Sequence, residues 1–380
     1  MTKSSTKKRK FSLEKKIRTL VKEHGSPLML ISKDILVNQY NLFRRYLSNV
    51  DPYYAIKANP HPSIIKTFAK LGCGFDVASA NEMKQVLKLG ANPDKIIFAN
   101  TIKSIEDIKR SIEYGVTLMT FDNEAEVYKI AKYAQGAKVL IRIKVPNVGS
   151  AVELSLKFGA DPAQAIFLLS KAKSLGLQPV GVCFHVGSQC LNVENYIQAL
   201  QISSMIFSES KKLGLDLNLL DIGGGFPIRH FDRDEHVTLK QMARHIRRKL
   251  KRLFPKDTKF IAEPGRFFAG PAGTLVTQVV GRSYRNDRNY YYLNDGVYAD
   301  FSGIVFDHCK YEFKTLRRGQ KFLSALAGPT CDSFDTISLS EDLPELEVGN
   351  IVYVRNIGAY SSASAVPNFN GFPPAKILMV

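Results

Sequence analysis

The chain has 380 residues, of which 45% are hydrophobic and 23% charged, with 53 Lys and Arg against 35 Asp and Glu for a formal net charge of +18. These are globular proportions: they exclude a disordered or collagen-like chain, no apolar run reaches the ~18 residues of a membrane span, and about two domains fit the length. The cations crowd into two runs, Lys3 to Lys10 and Arg244 to Arg252; no interleaved aromatics or known binding motif accompany them, so they read as a basic tail and a solvated helix face rather than a nucleic-acid surface.

In chain order, residues 1–10 read as a disordered tail. The segment 11–25 has helical spacing that stops at Gly25, and 27–31 reads as a short buried strand. No apolar segment of signal-peptide type follows the charged N-terminus. From residue 33 an alternation sets in. Apolar strand-like segments at about 53–56, 74–78, 95–99, 116–121, 138–145, 180–186, 217–222 and 259–262 are separated by segments of helical spacing. Eight strands with helices between them over 33–270 predict a (β/α)8 barrel of TIM type. Beyond 270 the runs are short, β-like and divided by Gly, Pro and charged turns. Residues 271–380 therefore read as a second, mainly antiparallel β domain, joined by the helix and strand of 11–32.

A polar residue or glycine follows nearly every barrel strand: Lys57, Asp76, Asn100, Asp122, Arg142, His185, Gly223 and Glu263. In such barrels the strand C-termini build the active site, so these residues are expected to meet at one mouth. A lysine partly desolvated there can condense with an aldehyde, whereas an ordinary strand-end lysine sits in solvent. Gly223, Gly224 and Gly225 let backbone N–H groups approach a phosphate closely, although a tight turn uses glycine equally well. Gly265 can add a further donor. Glu263 can keep a pyridine nitrogen protonated or simply pair with Arg142. His185 offers a flat ring for stacking and Ser188 a hydroxyl for a phosphate oxygen. Glu82 either serves the site or caps a helix. The five cysteines are odd in number and lack CxxC spacing, which points away from disulfides and a metal site and toward a reducing cytoplasm.

In this order, YAIKAN, GFDVASANE, HVGS, DIGGGFP, AEPGR, NDGVYADF, GPTCDSFD and GAY followed by FNGF resemble the fold-type III pyridoxal-phosphate decarboxylases, the ornithine and diaminopimelate decarboxylase family. GPTCDSFD is closer to the ornithine branch. The resemblance implies that Lys57 holds pyridoxal 5′-phosphate covalently, Glu263 pairs with the ring nitrogen and His185 stacks on the ring. The phosphate would lie against Gly223, Gly224, Gly225, Ser188, Gly265, Arg266 and Tyr360, with Asp76, Glu82 and Arg142 in support. Cys331 would return a proton to the substrate, and Asp332 with Asp295 would grip its distal ammonium. Tyr298 would line the substrate site and Phe369 would wall the pocket of the departing carboxylate. Cys331 and Asp332 would come from the partner in a homodimer. The implied reaction is decarboxylation of L-ornithine to putrescine, in polyamine biosynthesis. The alternatives are lysine or both substrates, diaminopimelate, and an inactive regulator of the antizyme-inhibitor kind. Val366-Pro367 lengthens the loop between Tyr360 and Phe369 by one residue relative to the eukaryotic enzymes. The chain's ending soon after FNGF points to a minimal, bacterial-type form.

Overall fold

The structure, a computed structural model, describes residues 3–149, 157–231 and 237–380. Its contacts divide the chain into two compact units. One comprises residues 34–228 and 235–269, the other residues 1–33, 229–234 and 270–380.

The helix expected from residue 11 begins earlier. It is α1, Lys3–His24, so residues 3–10, read as a disordered tail, are helical; residues 1–2 lie outside the described residues. It is followed by β1, Leu28–Ile31, and by α2, Lys33–Tyr46, a helix that the strand-helix alternation did not include. Next come β2 (Asp51–Ala55), α3 (Pro62–Lys70), β3 (Gly74–Val77), α4 (Ala80–Lys88), β4 (Ile96–Phe98), α5 (Ile105–Glu113), β5 (Leu118–Phe121) and α6 (Glu124–Tyr133). The repeat continues through β6 (Lys138–Ile143), α7 (Ala165–Ser174), β7 (Gln178–Phe184), α8 (Val193–Lys212), β8 (Leu219–Asp221), α9 (Leu239–Leu253) and β9 (Lys259–Ala262).

Strands β2 to β9 form a closed parallel barrel, as the sequence predicts. Closure is the pairing of Asp51 and Pro52 with Ile261 and Ala262. Ile97, Leu140, Cys183 and Ile261, from four strands, form one buried apolar cluster. Gly74 is required for packing in β3, because a Cβ there would stand 2.6 Å from the Tyr53 ring. Side-chain caps fix the helix starts: Ser79 on Glu82 N, Ser104 on Asp107 N and Asn123 on Glu126 N. Helix α2 belongs to the barrel unit because its Phe43 ring packs edge-on against Phe226 and Phe268.

The other unit is a mainly antiparallel sheet. Its strands are β10 (Gly273–Arg285), β11 (Arg288–Leu293), β12 (Phe313–Thr315), β13 (Lys321–Ala327), β14 (Thr336–Pro344), β15 (Ile351–Arg355) and β16 (Lys376–Met379). They run in the order β12-β15-β10-β11-β13-β14, and β1 joins by pairing antiparallel with β10 and parallel with β16. Ile17 of α1 is buried with Leu28, Leu30, Val276 and Tyr353, so the N-terminal helix completes the core of this sheet. Among the described residues, no helix is long and apolar enough to cross a membrane.

Candidate active site

All eight barrel strands point the same way, so their C-terminal ends share one rim. Lys57 sits on a single 3-10 turn, Ile56–Ala58, directly after β2. Its Nζ donates to Asp76 Oδ2 at 2.5 Å; the carboxylate side chain is 1% exposed and the lysine 45%. The lysine is thus partly desolvated, and a buried partner fixes its ammonium. Glu82, in the first turn of α4, accepts the Ala78 N–H at 2.6 Å. Burial lifts its carboxyl above the ordinary range despite that bond, so Glu82 both serves the helix start and adds a carboxylate beside Asp76 and Lys57.

His185 follows β7 directly. Its Nδ1 accepts the Gly187 N–H at 3.0 Å. Burial, with the cations Arg142 and Lys57 nearby, pushes the imidazole well below its usual value, which leaves a neutral ring protonated on Nε2. Arg142, on β6, lies over the Phe158 ring at 5.3 Å.

The glycine loop after β8 is a cradle. Gly223 and Gly225 have φ of +66° and +94°, where side chains are strained. A Cβ at Gly223 would meet Phe184 O at 2.1 Å, at Gly224 the Glu263 O at 2.7 Å, and at Gly225 the Gly187 O at 2.3 Å. Two residues missing from the sequence expectations hold this loop. Asp221 Oδ1 accepts the Gly223 N–H at 2.8 Å, and the fully buried Tyr196 hydroxyl donates to Gly224 O at 2.7 Å. Asp221 stood inside the DIGGGFP motif, but its direction depends on the turn it makes; Tyr196 looks like any core aromatic of an amphipathic helix.

Glu263 follows β9 and donates its N–H to Gly223 O at 2.9 Å. Burial, then the neighbouring carboxylates Asp221 and Asp76, push its carboxyl well above the ordinary range. Burial likewise raises Asp221, to about 6. Such a carboxylate is relieved by a cationic N–H donor brought to it. A glycine cradle for an anion, a lysine on a turn and a buried acid seeking a cation are the donor set that pyridoxal phosphate needs. Ser188 lies one residue beyond Gly187. Gly265 opens the short helix Arg266–Ala269, in which Arg266 is buried.

The sheet unit gathers a second group. The Tyr298 ring stacks on Phe369 at 4.1 Å, and its hydroxyl donates to Asp332 Oδ2 at 2.5 Å. Asp332 Oδ1 also accepts the Phe334 N–H at 2.9 Å. The Tyr298 bond holds this carboxyl below its ordinary range. Cys331 is exposed, with both its N–H and its thiol directed to Asn370 Oδ1. Val366, in the loop between Tyr360 and Phe369, donates its N–H to Tyr298 O at 2.8 Å, and Tyr360 takes a left-handed φ of +53°.

Asp295 is buried in the turn after β11. It is 2% exposed, accepts the Asp300 N–H at 3.0 Å, and is raised by burial and by Asp300 beside it. Its Oδ1 is thus taken by its own loop, while Oδ2 is buried without a hydrogen-bond partner among the described residues. Asp335, also unforeseen, accepts Val297 N at 2.8 Å and Thr330 N at 3.1 Å, tying the loop of Tyr298 to the loop of Cys331 and Asp332.

The barrel and this site define a pyridoxal-phosphate-dependent amino-acid decarboxylase. Residues 33–270 match the family described as "Pyridoxal-dependent decarboxylase, pyridoxal binding domain", and the chain belongs to that family. It is 41% identical over 359 residues to the lysine/ornithine decarboxylase of Selenomonas ruminantium, covering 94% of this chain and 91% of that one. It is 37% identical over 370 residues to the ornithine decarboxylase of Caenorhabditis elegans, covering 93% and 86%. The crystal structure of lysine/ornithine decarboxylase from Vibrio vulnificus with putrescine superposes with a TM-score of 0.91 at 35% identity, covering 97% and 98%. Pyridoxal phosphate is the cofactor of this chain.

Proposed function

We propose that this decarboxylase converts L-ornithine to putrescine and CO2, with L-lysine as the nearest competitor. The observation that carries the reading is Asp332, a carboxylate kept ionised by the Tyr298 hydroxyl beside Cys331. A fixed anion there suits a distal ammonium and repels the second carboxylate of diaminopimelate.

Bound pyridoxal phosphate supplies a protonated, conjugated ring that delocalises the electron pair left when CO2 departs. Lys57 holds the cofactor, and Asp76 positions the Lys57 Nζ. Glu263 accepts the ring N–H, which its burial beside Asp221 and Asp76 favours. His185 presents a neutral face for stacking, while the glycine loop, with Ser188, Gly265, Arg266 and Tyr360, receives the phosphate. Cys331 delivers the proton to the substrate α-carbon. Phe369 gives the leaving carboxylate an apolar wall.

The test is CO2 release from ornithine, lysine, arginine and diaminopimelate. Ornithine is expected to have the highest kcat/KM, with lysine lower by roughly 10- to 200-fold, the value of one methylene in a pocket. A faster reaction with arginine or diaminopimelate would refute the assignment. Asp332→Ala is expected to lose about 2–4 kcal/mol of transition-state binding, roughly 30- to 1,000-fold in kcat/KM. Its visible cofactor absorbance should remain; an unchanged kcat/KM removes Asp332 from the substrate site.

We further infer a homodimer in which Cys331 and Asp332 complete the barrel site of the partner subunit. Exposure of the Cys331 thiol supports it, because a proton donor for a carbanion works only where water is excluded. Mixing inactive Lys57→Ala with inactive Cys331→Ala should then restore part of the activity, since one hybrid site is intact. No recovery after subunit exchange counts against shared sites.

A further inference from the structure

We propose that the outward face of α9 docks the phosphodiester backbone of single-stranded nucleic acid, a partner outside the decarboxylase reaction. The helix is fixed at its start by a capping box between Thr238 and Gln241. Leu239, Met242, Ala243, Ile246 and Leu250 form its buried stripe. Every acid is missing from its 15 residues, whereas Lys240, Arg244, Arg247, Arg248, Lys251 and Arg252 all face solvent.

This arrangement works against the helix itself. Lys240/Arg244, Arg244/Arg248, Arg247/Lys251 and Arg248/Arg252 are like-charge pairs at i,i+4, which repel. The cations near the N-terminal end also meet the positive end of the helix dipole. Among the described residues none of the six is in an ion pair; the one bond of the group is Arg247 Nη1 to Tyr46 O at 3.3 Å. Among the described residues lining the two cavities beside this face Glu194 is the one acid, so the repulsion is offset in small part only, and an external polyanion offsets the rest.

Two open cavities of about 360 Å³ each flank the helix. Lys240, Arg244, Arg247, Arg248 and Lys251 line one together with Tyr46 of α2. His245, Arg248, Lys249 and Arg252 line the other with Glu194 and Gln201. The cations extend along about 18 Å of helix rather than converging on one buried point, so an extended anion fits better than a small one. No residue of α9 is among the exposed large apolar side chains, which leaves a bilayer without an anchor. Tyr46 supplies the aromatic that the linear sequence lacked: α2 brings it among the cations, where an unpaired base can stack.

The test uses the full chain with cofactor and labelled 20-nucleotide single-stranded RNA and DNA in fluorescence anisotropy. Binding is expected to weaken roughly 100-fold between 50 and 200 mM salt, as for about five neutralised phosphates. Arg244→Glu/Arg248→Glu/Lys251→Glu should weaken binding at least tenfold, Tyr46→Ala about tenfold, and Arg244→Lys/Arg248→Lys should retain it. CO2 release should be unchanged throughout, and the charge-reversed helix should melt no lower than wild type. Removing residues 1–10 should leave binding in place. The proposal is overturned by no binding at 50 mM salt, by wild-type binding in the triple variant, by loss of binding with residues 1–10, or by equal binding of duplex DNA, phosphatidylserine vesicles or polyglutamate.

Discussion

Lys57→Ala is expected to lose the visible absorption of lysine-held cofactor and to lower CO2 release roughly 10³-fold or more, the scale of removing a covalent and acid-base group. The structure gives a control that separates chemistry from folding. Removing the lysine also leaves Asp76 as a buried carboxylate without its 2.5 Å partner, so some loss of stability accompanies the change. Because Lys57 is half exposed, that loss is discounted to about 1–3 kcal/mol, below the cost of breaking a fully buried pair. Asp76→Asn keeps the shape and removes the charge. It should retain the visible band with activity reduced about tenfold, the size of one lost charge-assisted hydrogen bond. An unchanged spectrum in Lys57→Ala, or a lost band in Asp76→Asn with Lys57→Ala still coloured, would sink the assignment of Lys57.

Lys57 also shows what the sequence can reveal. Its position after an apolar run, before Asn59-Pro60, placed it at a strand end, and the eight-fold alternation placed that end on a barrel rim. Periodicity reports which residues share a face, so the strands, and with them the rim residues, were readable. It does not report where a side chain turns. Lys57 is partly desolvated, as its place on the rim implies, but that Asp76 is the residue its ammonium turns to is set by the folded turn. Nor does periodicity foretell that the turn after β11 brings the Asp300 N–H onto Asp295 Oδ1. Asp335, Asp221 and Tyr196 act through backbone groups brought close only by the folded loops, and no spacing rule marks such pairings. Helix α2 was missed because it precedes the first barrel strand and breaks the strand-first rhythm. The acid-free run of α9 was plain in the sequence, but Tyr46 stands about 200 residues away and reaches it only through the closed barrel.

Glu126→Gln is expected to destabilise the barrel unit by about 3–5 kcal/mol, the cost of leaving one member of a buried ion pair alone. The Lys103 side chain is 0% exposed and Glu126 2%, at 3.0 Å. The lysine Nζ also donates to Thr120 O at 2.6 Å, Asn100 O at 3.0 Å and Thr101 O at 3.3 Å, so it ties the turn after β4 to β5. Glu126, on α6, accepts the Lys103 N–H at 3.1 Å and pairs with Lys129 at 2.6 Å, which joins the next helix to the same turn. Burial pushes the Lys103 ammonium down to about 8 against the pull of Glu126. Its folded value lies below the ordinary 10.5, so between about 8 and 10.5 the unfolded chain binds more protons and this group makes stability rise with pH. Without Glu126 the ammonium loses its main support and sheds its proton at lower pH. The deficit of Glu126→Gln should therefore be largest near pH 6 and shrink through pH 8 and above, as read by urea denaturation at each pH. Lys103→Met/Glu126→Leu removes both charges but leaves the Lys103 N–H unpaired, a cost of about 1–3 kcal/mol, so it should recover only part of the loss. A Glu126→Gln deficit that is small, or that grows with pH, would mean that the ion pair does not hold this part of the barrel.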